Sequence, residues 1–551
     1  MDALIPASRQ PPLPVDRFLV EEPPGEEAVP LDVLFVGGGP AGLAGAIELA
    51  RLAAGDRERG GPLGELEIGV LEKSAELGEH CLSGAVVSPA PFHELFPDTP
   101  LAELPLRGAV PGDRVYLLTD SGSVRLPTPP TMRNHGNHVA SICEIVRWLG
   151  ARAEELGVNV FTGFPADSLL LDGGRVVGVR TTPAGLDRDR EPAAGYMPPT
   201  DLSARITVLA EGTRGPLSEA WRTRQGIGSD NPQIYALGVK ELWQVPRPRE
   251  AVVHTLGWPL PRDAFGGSFL YPMGDDLAAV GLVVGLDAPY VDLDVHAWLQ
   301  ALKRHPLFVR ALDGGEIVEW GAKTIPEGGF HALPHRLHGD GLLLAGDAAG
   351  MVDVATLKGI HYAMWSGIEA ARAIHAALAA DDVSAAGLAP YDRAIRARLR
   401  ASPLYRNRNM RLAFKSGFVA GGIKAGLMQL SGGAFPGRRI ASRTDAEEPR
   451  TKVAGIRPAS DGGPALAKVD AVYRSGNTTR DDIPSHLVVG EDITPGMAEF
   501  YEHLCPAGVY ERRDGRLVVN APNCIDCKAT DVVGPRWTPR EGGSGPAYKR
   551  M

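Results

Sequence analysis

The sequence predicts an α/β protein of several domains, with a Rossmann-type unit near its N-terminus and a small cysteine-containing domain at its C-terminus. Residues 31–50 (LDVLFVGGGPAGLAGAIELA) place an apolar strand, a glycine-rich turn and a helical pattern in succession. Residues 342–351 (LLLAGDAAGM) repeat the strand and turn far downstream. Three of the five cysteines cluster near the C-terminus. A chain of 551 residues is too long for one core, so two to four domains are expected.

The first turn has the spacing Gly37-x-Gly39-x-x-Gly42. In this arrangement the first glycine makes a tight turn, the second lets the backbone approach a pyrophosphate, and the third lets helix and strand pack closely. A second strand at 67–71 ends in Glu72, whose carboxylate can accept hydrogen bonds from a ribose diol. The ordered pattern predicts a dinucleotide site. The alternative is a glycine-rich turn that binds no ligand.

The downstream turn supplies Gly346 and Asp347. In FAD proteins of the glutathione-reductase type, such a pair meets the ribityl and pyrophosphate end of the flavin. Asp347 is also compatible with an ordinary helix N-cap. We therefore expect a discontinuous FAD-binding domain over residues 31–231 and 336–400. No second Gly-x-Gly-x-x-Gly follows a strand, so a separate NAD(P)H domain is not expected.

Composition excludes several other classes. The net charge of −10 argues against a nucleic-acid partner. Residues 1–30 are rich in proline and acidic residues and lack an apolar core, which predicts a disordered tail and no signal peptide. No apolar run of 18 residues occurs, so no transmembrane helix is expected.

The cysteines Cys505, Cys524 and Cys527 have the spacing of iron–sulfur ligands: a remote Cys-Pro set against a Cys-x-x-Cys pair. Residues 516–520 (RLVVN) predict a hairpin strand between them. The alternatives are a zinc knuckle or a chance grouping.

From residue 31 onward the sequence resembles the electron transfer flavoprotein–ubiquinone oxidoreductase family. The segments that carry the resemblance are GGGPAG (37–42), LSGA (82–85), NHG (134–136), GVKELW (238–243), HTLGWPL (254–260), GGSFLY (266–271), EGGF (327–330), CPAGVYE (505–511) and EGGSGPAY (541–548). Several of these have no generic folding reason to occur together.

The resemblance implies three functional domains: the discontinuous FAD-binding domain, an antiparallel-sheet quinone-binding domain at 232–335, and a ferredoxin-like [4Fe–4S] domain at 455–551. Residues 401–454 would be a basic and apolar segment next to the membrane. The expected cofactor-binding residues are Gly37, Gly38, Gly39, Pro40, Ala41, Gly42, Glu72, Ser83, Gly84, Gly346, Asp347 and Gly350. Cys505, Cys524 and Cys527 would hold the cluster.

The implied activity is electron transfer. Reduced electron transfer flavoprotein gives up electrons singly, the cluster and FAD relay them, and ubiquinone or menaquinone leaves as quinol. Gly266 and Gly267 would lie against the quinone, although a β-bulge would explain them equally well. No side chain is expected to act as a catalytic acid, base or nucleophile. His254, His361 and Tyr271 are candidate proton donors, but each is also explained as a structural residue.

The resemblance also implies a membrane surface as a partner. Together with the absence of a signal peptide, it predicts a peripheral protein on the cytoplasmic face of a bacterial inner membrane. Residues 393–415 carry eight Lys or Arg, and the apolar, glycine-rich residues 416–436 follow them. A solvated helix followed by a buried one is the alternative. The loop at 119–132 is more polar than the family pattern.

One departure from the family affects the cluster. The family motif continues to a further cysteine, and Thr530 stands at that position, followed by Asp531. We expect a labile cluster that loses one iron to give [3Fe–4S]. Asp531, or less readily Asp526, could supply an oxygen ligand. The alternative is a domain that has lost its cluster.

Other functions stay open from the sequence alone. They are a related flavoprotein dehydrogenase of the nitrogen-fixation type, a flavin-dependent reductase of prenyl lipids, an electron carrier that reduces no quinone, and a monooxygenase. The C-terminal cysteine domain argues against all of these except the carrier.

Overall fold

The structure is a computed structural model that describes residues 3–247, 250–274, 276–456 and 465–551. The start of the predicted C-terminal domain, residues 457–464, lies outside the described residues. The strands β1–β25 are, in chain order, Leu19–Val20, Val29–Val36, Ile68–Glu72, Val86–Val87, Gly108–Ala109, Asp113–Leu118, Ser123–Leu126, His138–Val139, Asn159–Thr162, Ala166–Asp172, Arg175–Thr181, Ala184–Leu186, Pro192–Met197, Asp201–Leu209, Tyr235–Gln244, Val252–Gly257, Gly266–Gly274, Leu277–Gly285, Glu316–Pro326, His338–Gly339, Leu342–Leu344, Leu487–Val488, Tyr510–Arg513, Arg516–Val519 and Arg536–Trp537. The α-helices α1–α15 are Val15–Phe18, Pro40–Glu58, Ala90–Leu95, Ile142–Glu155, Pro216–Arg224, Val295–Leu302, Pro306–Leu312, Ile360–Ala379, Ala385–Ala401, Pro403–Arg406, Met410–Ala413, Phe418–Leu430, Lys468–Arg474, Pro495–Leu504 and Ala529–Val533.

The first sheet is built around four parallel strands, β3–β2–β14–β21, drawn from distant parts of the chain. Their central residues, such as Phe35, Val208 and Leu343, are fully buried, as expected for parallel strands covered on both faces. Helices α2 and α8 cross closely, and a Cβ on Gly367 would come within 2.0 Å of the Ala41 carbonyl oxygen. This sheet contains both of the turns that the sequence singled out.

The second sheet has the strand order β19–β15–β18–β17–β16–β6–β7. Its neighbours are antiparallel except for β16 and β6, which run parallel. Strands β6 and β7 come from residues 113–126, inside the segment predicted to belong to the first domain. The predicted boundary at residue 232 is therefore wrong for this sheet, because a distant hairpin extends its edge.

The N-terminal segment is ordered, so the prediction of a disordered tail over residues 1–30 is wrong for its described part. Phe18 is fully buried, and β1 pairs in parallel with β10. Leu4 also forms a backbone bridge with Arg450. Phe18 and Leu19 belong to the apolar core of the first sheet, and Leu13 and Val15 pack against that core, which anchors the proline-rich segment.

Four of the eight cations in the basic stretch 393–415 form ion pairs. Arg398 pairs with Glu94 at 2.8 Å, Arg396 with Asp392 at 2.8 Å, and Lys415 with Glu448 at 2.6 Å. Arg411 is buried, and its guanidinium lies 2.6 Å from Glu327 and 2.7 Å from Asp287. These four cations attach the segment to the protein, and a role of the stretch at a membrane surface stays a prediction.

The C-terminal region confirms the predicted hairpin, because β23 and β24 pair antiparallel on either side of Asp514 and Gly515. Helix α14 precedes this hairpin and α15 follows it. A two-stranded pair, β22 with β25, closes the region.

Candidate functional site

A connected cavity of about 1470 Å³ is lined by both large sheets and by α12. Among the predicted site residues, it is lined by Gly37, Gly39, Pro40, Ala41, Glu72, Ser83, Gly84, Gly266, Gly267, Gly346 and Asp347. Gly38, Gly42 and Gly350 do not line the cavity, and each packs against neighbouring protein atoms within its turn.

The turn after β2 has the geometry of a phosphate cradle. Gly37 has a φ of +115°, and a Cβ there would lie 2.3 Å from the Ala210 carbonyl oxygen. A Cβ on Gly39 would meet nothing within 4 Å, so this residue leaves the cavity open. Gly39 is also the N-cap of α2, with no side chain capping the first amides. Free amides and the helix dipole at this point suit an anion.

Glu72 is held in place by backbone and side-chain donors. Its carboxylate accepts hydrogen bonds from the amide of Gly38 at 2.9 Å and from the amide of Ser74 at 2.9 Å. The Ser74 hydroxyl donates a third bond at 3.0 Å. The acid therefore lies at the strand end where a ribose would reach it.

The second turn brings Asp347 to the same cavity. Ser366 accepts a hydrogen bond from the Gly346 amide at 2.8 Å, which fixes the turn between β21 and α8. Gly350 ends the turn in the left-handed region, with a φ of +76°. Burial raises the pKa of Asp347 to about 6, although Lys323 acts in the opposite direction.

The sequence reasoning missed two lysines on the cavity wall, the buried Lys240 and the partly buried Lys358. Lys240 donates to the Ser83 carbonyl at 3.1 Å, and Lys358 donates to the Asn134 side chain at 2.6 Å. Burial lowers the pKa of each lysine to about 8. The available signal was Lys240 itself, a single cation within the apolar strand sequence of residues 235–243.

Gly266 and Gly267 begin β17 in regular pairing with β18, so no bulge explains them. A Cβ on Gly266 would lie 2.1 Å from the Val283 carbonyl oxygen, and one on Gly267 would lie 2.8 Å from the Thr255 carbonyl oxygen. Close packing within the sheet therefore requires glycine at both positions. The same residues face the cavity.

The three candidate proton donors separate into two groups. His254 and Tyr271 line the cavity and share a hydrogen bond of 2.6 Å between Nε2 and the phenol oxygen. Burial lowers the pKa of His254 to about 4, so its ring is neutral at pH 7. His361 packs against Tyr362 and Trp365 and does not line the cavity, which makes it a structural residue.

Helix α12 lies at the apolar end of the cavity, where Phe418, Val419 and Ile423 contribute to the lining. Only Gly421 and Met428 of this helix are buried. Val419 is 74% exposed and Leu430 is 88% exposed. The alternative of a buried helix after residue 416 is therefore wrong. Among the described residues, no helix has the length and apolar character needed to cross a membrane.

The three C-terminal cysteines converge as predicted. Cys505, Cys524 and Cys527 line one small buried pocket, together with Thr530 and Tyr510. Burial raises the pKa of the Cys524 thiol to about 12. Three soft sulfur ligands around one pocket fit a cluster at three corners. The fourth position carries a hydroxyl instead of a thiol.

The cluster pocket adjoins the large cavity, and Lys528 and Trp537 line both. The Lys528 ammonium lies 4.1 Å from the centre of the Trp537 ring. Lys73, which follows Glu72 in the chain, pairs with Asp526 of the cysteine loop at 2.6 Å. Burial alone would raise the pKa of Asp526. The nearby Arg540 and Lys73 instead hold this pKa well below its usual range.

Comparison with known proteins agrees with this geometry. The chain is 36% identical to the electron transfer flavoprotein-ubiquinone oxidoreductase of Pseudomonas aeruginosa, over 95% of this chain and all of that protein. The mitochondrial protein of the same name from Oryza sativa is 36% identical over 96% of this chain and 94% of that protein. The human mitochondrial protein is 35% identical over 94% of this chain and 89% of that protein. The chain belongs to the electron transfer flavoprotein–ubiquinone oxidoreductase family.

Two family models match separate parts of this family member. The model described as "ETF-QO, ubiquinone-binding" covers residues 235–325, most of the second sheet. The model described as "Electron transfer flavoprotein-ubiquinone oxidoreductase, 4Fe-4S" covers residues 464–549, which contain the three cysteines. The resemblance expected from the sequence motifs is confirmed.

Solved structures that match this family member share its fold. A geranylgeranyl bacteriochlorophyll reductase-like protein of Thermoplasma acidophilum has a TM-score of 0.57 at 21% identity, over 74% of this chain and 92% of that one. A flavin-dependent brominase has a TM-score of 0.51 at 18% identity, over 74% of this chain and 94% of that one. These likenesses place the chain in the Rossmann-like fold of flavin-dependent oxidoreductases.

Proposed function

We propose that this protein takes electrons one at a time from reduced electron transfer flavoprotein and passes them, through a [4Fe–4S] cluster and FAD, to a membrane quinone. The single observation that carries this proposal is the shared wall between the cysteine pocket and the large cavity, formed by Lys528 and Trp537. Two single-electron transfers and two protons convert one quinone to quinol.

The FAD-binding residues would act in three places. The α2 N-terminus at Gly39 and Pro40 receives the pyrophosphate, since its amides are uncapped and its approach is open. Glu72 receives the adenosine ribose. Asp347, with Ser83 and Gly84 on the cavity wall, contacts the ribityl and isoalloxazine parts. FAD supplies a carrier that can hold one electron or two.

The quinone would enter at α12 and reach Gly266 and Gly267. Gly266 and Gly267 line the cavity, so a flat ring could approach the strand backbone at these two residues. His254 Nε2 and the Tyr271 phenol line the same cavity, so this pair could donate protons to the quinone oxygens.

The membrane surface is the partner proposed for α12. Its exposed apolar side chains include Phe418 at 40% exposure, and Phe435, which follows the helix in the chain, is 38% exposed. Arg406 and Arg438 are exposed close to this helix in the chain. Exposed apolar side chains with adjacent cations suit peripheral binding to an anionic leaflet.

The test is reoxidation of the reduced protein under anaerobic conditions. We expect ubiquinone analogues to reoxidise it and reduced electron transfer flavoprotein to reduce it again, while NAD⁺ and NADP⁺ do neither. A protein that accepts electrons from the flavoprotein but leaves quinone unreduced would be an electron carrier instead. Rapid reoxidation by NAD⁺ would contradict the proposal outright.

A further inference from the structure

The cysteine pocket is completed on its fourth side by Thr530. This residue lies in α15, three positions after Cys527, and is 9% exposed. Its side-chain oxygen lies 3.4 Å from the Tyr510 phenol oxygen and lines the same pocket as the three thiols. An oxygen atom therefore stands where the fourth corner of a cubane cluster would need a ligand.

Asp531 is excluded as that ligand by its contacts. One carboxylate oxygen accepts from Arg214 Nε at 2.9 Å, and the other accepts from the Trp537 amide at 2.9 Å. Consecutive residues of a helix point about 100° apart, because a turn holds 3.6 residues. Turning Asp531 towards the pocket would leave the buried Arg214 guanidinium without this partner.

Asp526 is also excluded as the fourth ligand, because both of its carboxylate oxygens accept other hydrogen bonds. One of its oxygens accepts from Trp537 Nε1 and from Arg540, each at 2.9 Å, and the other accepts from Lys73 at 2.6 Å. These bonds join the cysteine loop to the first domain. Withdrawing the carboxylate would leave the buried Arg540 and the partly buried Lys73 without this partner.

We propose that Thr530 Oγ1 is the fourth ligand of the cluster, so that one iron is held by oxygen and three by thiolate. This inference rests on the proposed function, because it requires the cluster to be present. An alcohol oxygen is a harder and weaker ligand than a thiolate, so this iron leaves first. Loss of one Fe²⁺ and one electron from [4Fe–4S]²⁺ gives [3Fe–4S]⁺, and ferricyanide supplies the oxidant.

The experiment compares the anaerobic full-length protein with three variants. Thr530→Cys restores sulfur, Thr530→Val keeps the shape but removes the oxygen, and Thr478→Cys adds a thiol at an exposed threonine of the same region. Each is titrated with ferricyanide while released iron and the [3Fe–4S] electron paramagnetic resonance signal are recorded.

We expect the unmodified protein and Thr478→Cys to release one iron in four and to show the [3Fe–4S] signal. Thr530→Val should release that iron faster, and Thr530→Cys should retain it. Equal release from the unmodified protein and Thr530→Cys would overturn the inference, and so would equal release from the unmodified protein and Thr530→Val. Anaerobic protein without iron and acid-labile sulfide would instead overturn the proposed function.

Discussion

Removing the apolar surface of α12 should detach the protein from membranes. Val419, Ile423 and Leu430 are 74%, 63% and 88% exposed. Full burial of such a side chain contributes about 1.5–3 kcal/mol; scaled by these exposed fractions, the three together contribute about 3–7 kcal/mol when the helix enters the lipid interface. A factor of ten in partitioning corresponds to about 1.4 kcal/mol, and the lower end predicts a drop of about a hundredfold.

The assay is flotation with vesicles that contain anionic lipid, using the triple serine variant of these residues. A matched control replaces Val309, Val469 and Tyr473 with serine, since these are 51%, 59% and 82% exposed on α7 and α13. The control should float like the unmodified protein. If the α12 variant partitions within about threefold of the unmodified protein, the helix does not bind the membrane.

Three further outcomes follow from the site and the core. Gly39→Val should abolish FAD retention, because a β-branched side chain would fill the open approach to the α2 amides. Full flavin absorbance in the purified variant would show that this turn does not hold the pyrophosphate. Arg411→Ala should lower the free energy of unfolding by about 3–5 kcal/mol, because it leaves the buried Glu327 carboxylate without its cation and removes one of the two cations beside Asp287. The exposed Arg400→Ala should change it by less than about 0.5 kcal/mol in urea unfolding, and equal effects would contradict the reasoning. The pKa of His254 in the folded protein, about 4, lies below the usual value of 6.5, so the unfolded chain takes up the proton first and stability falls as the pH drops from 6.5 to 4. His254→Gln should reduce this loss of stability. His135→Gln, on the surface, should leave the urea midpoints at both pH values unchanged, and an unaltered pH slope in His254→Gln would refute the assignment.

The parts that the sequence predicted well are those encoded by neighbouring residues. The turn at Gly37–Gly42 lies within one strand, loop and helix, so its spacing alone specifies its geometry. Cys524 and Cys527 are likewise separated by only two residues, so their spacing could be read directly from the sequence. Cys505 lies close to them in space because the β23–β24 hairpin folds back between them, and that hairpin has its own strand and turn signals.

The parts that the sequence did not predict depend on distant pairing. Strand β6 joins the second sheet by pairing Val115 with His254, and no local pattern specifies a partner so far along the chain. The N-terminal segment is held by the burial of Phe18, which proline-rich composition does not reveal. Arg398 of the basic stretch pairs with Glu94, which lies 304 residues earlier, and no local pattern specifies that partner.

The wall formed by Lys528 and Trp537 has a kinetic consequence. Because these two side chains border both the cluster pocket and the large cavity, an electron would cross between a bound cluster and bound FAD without any swinging of one domain towards the other. The internal step then proceeds at a rate set by a fixed gap and should be insensitive to ionic strength and viscosity. Salt concentration should then control turnover through association with the charged redox partner, and not through electron transfer inside the molecule.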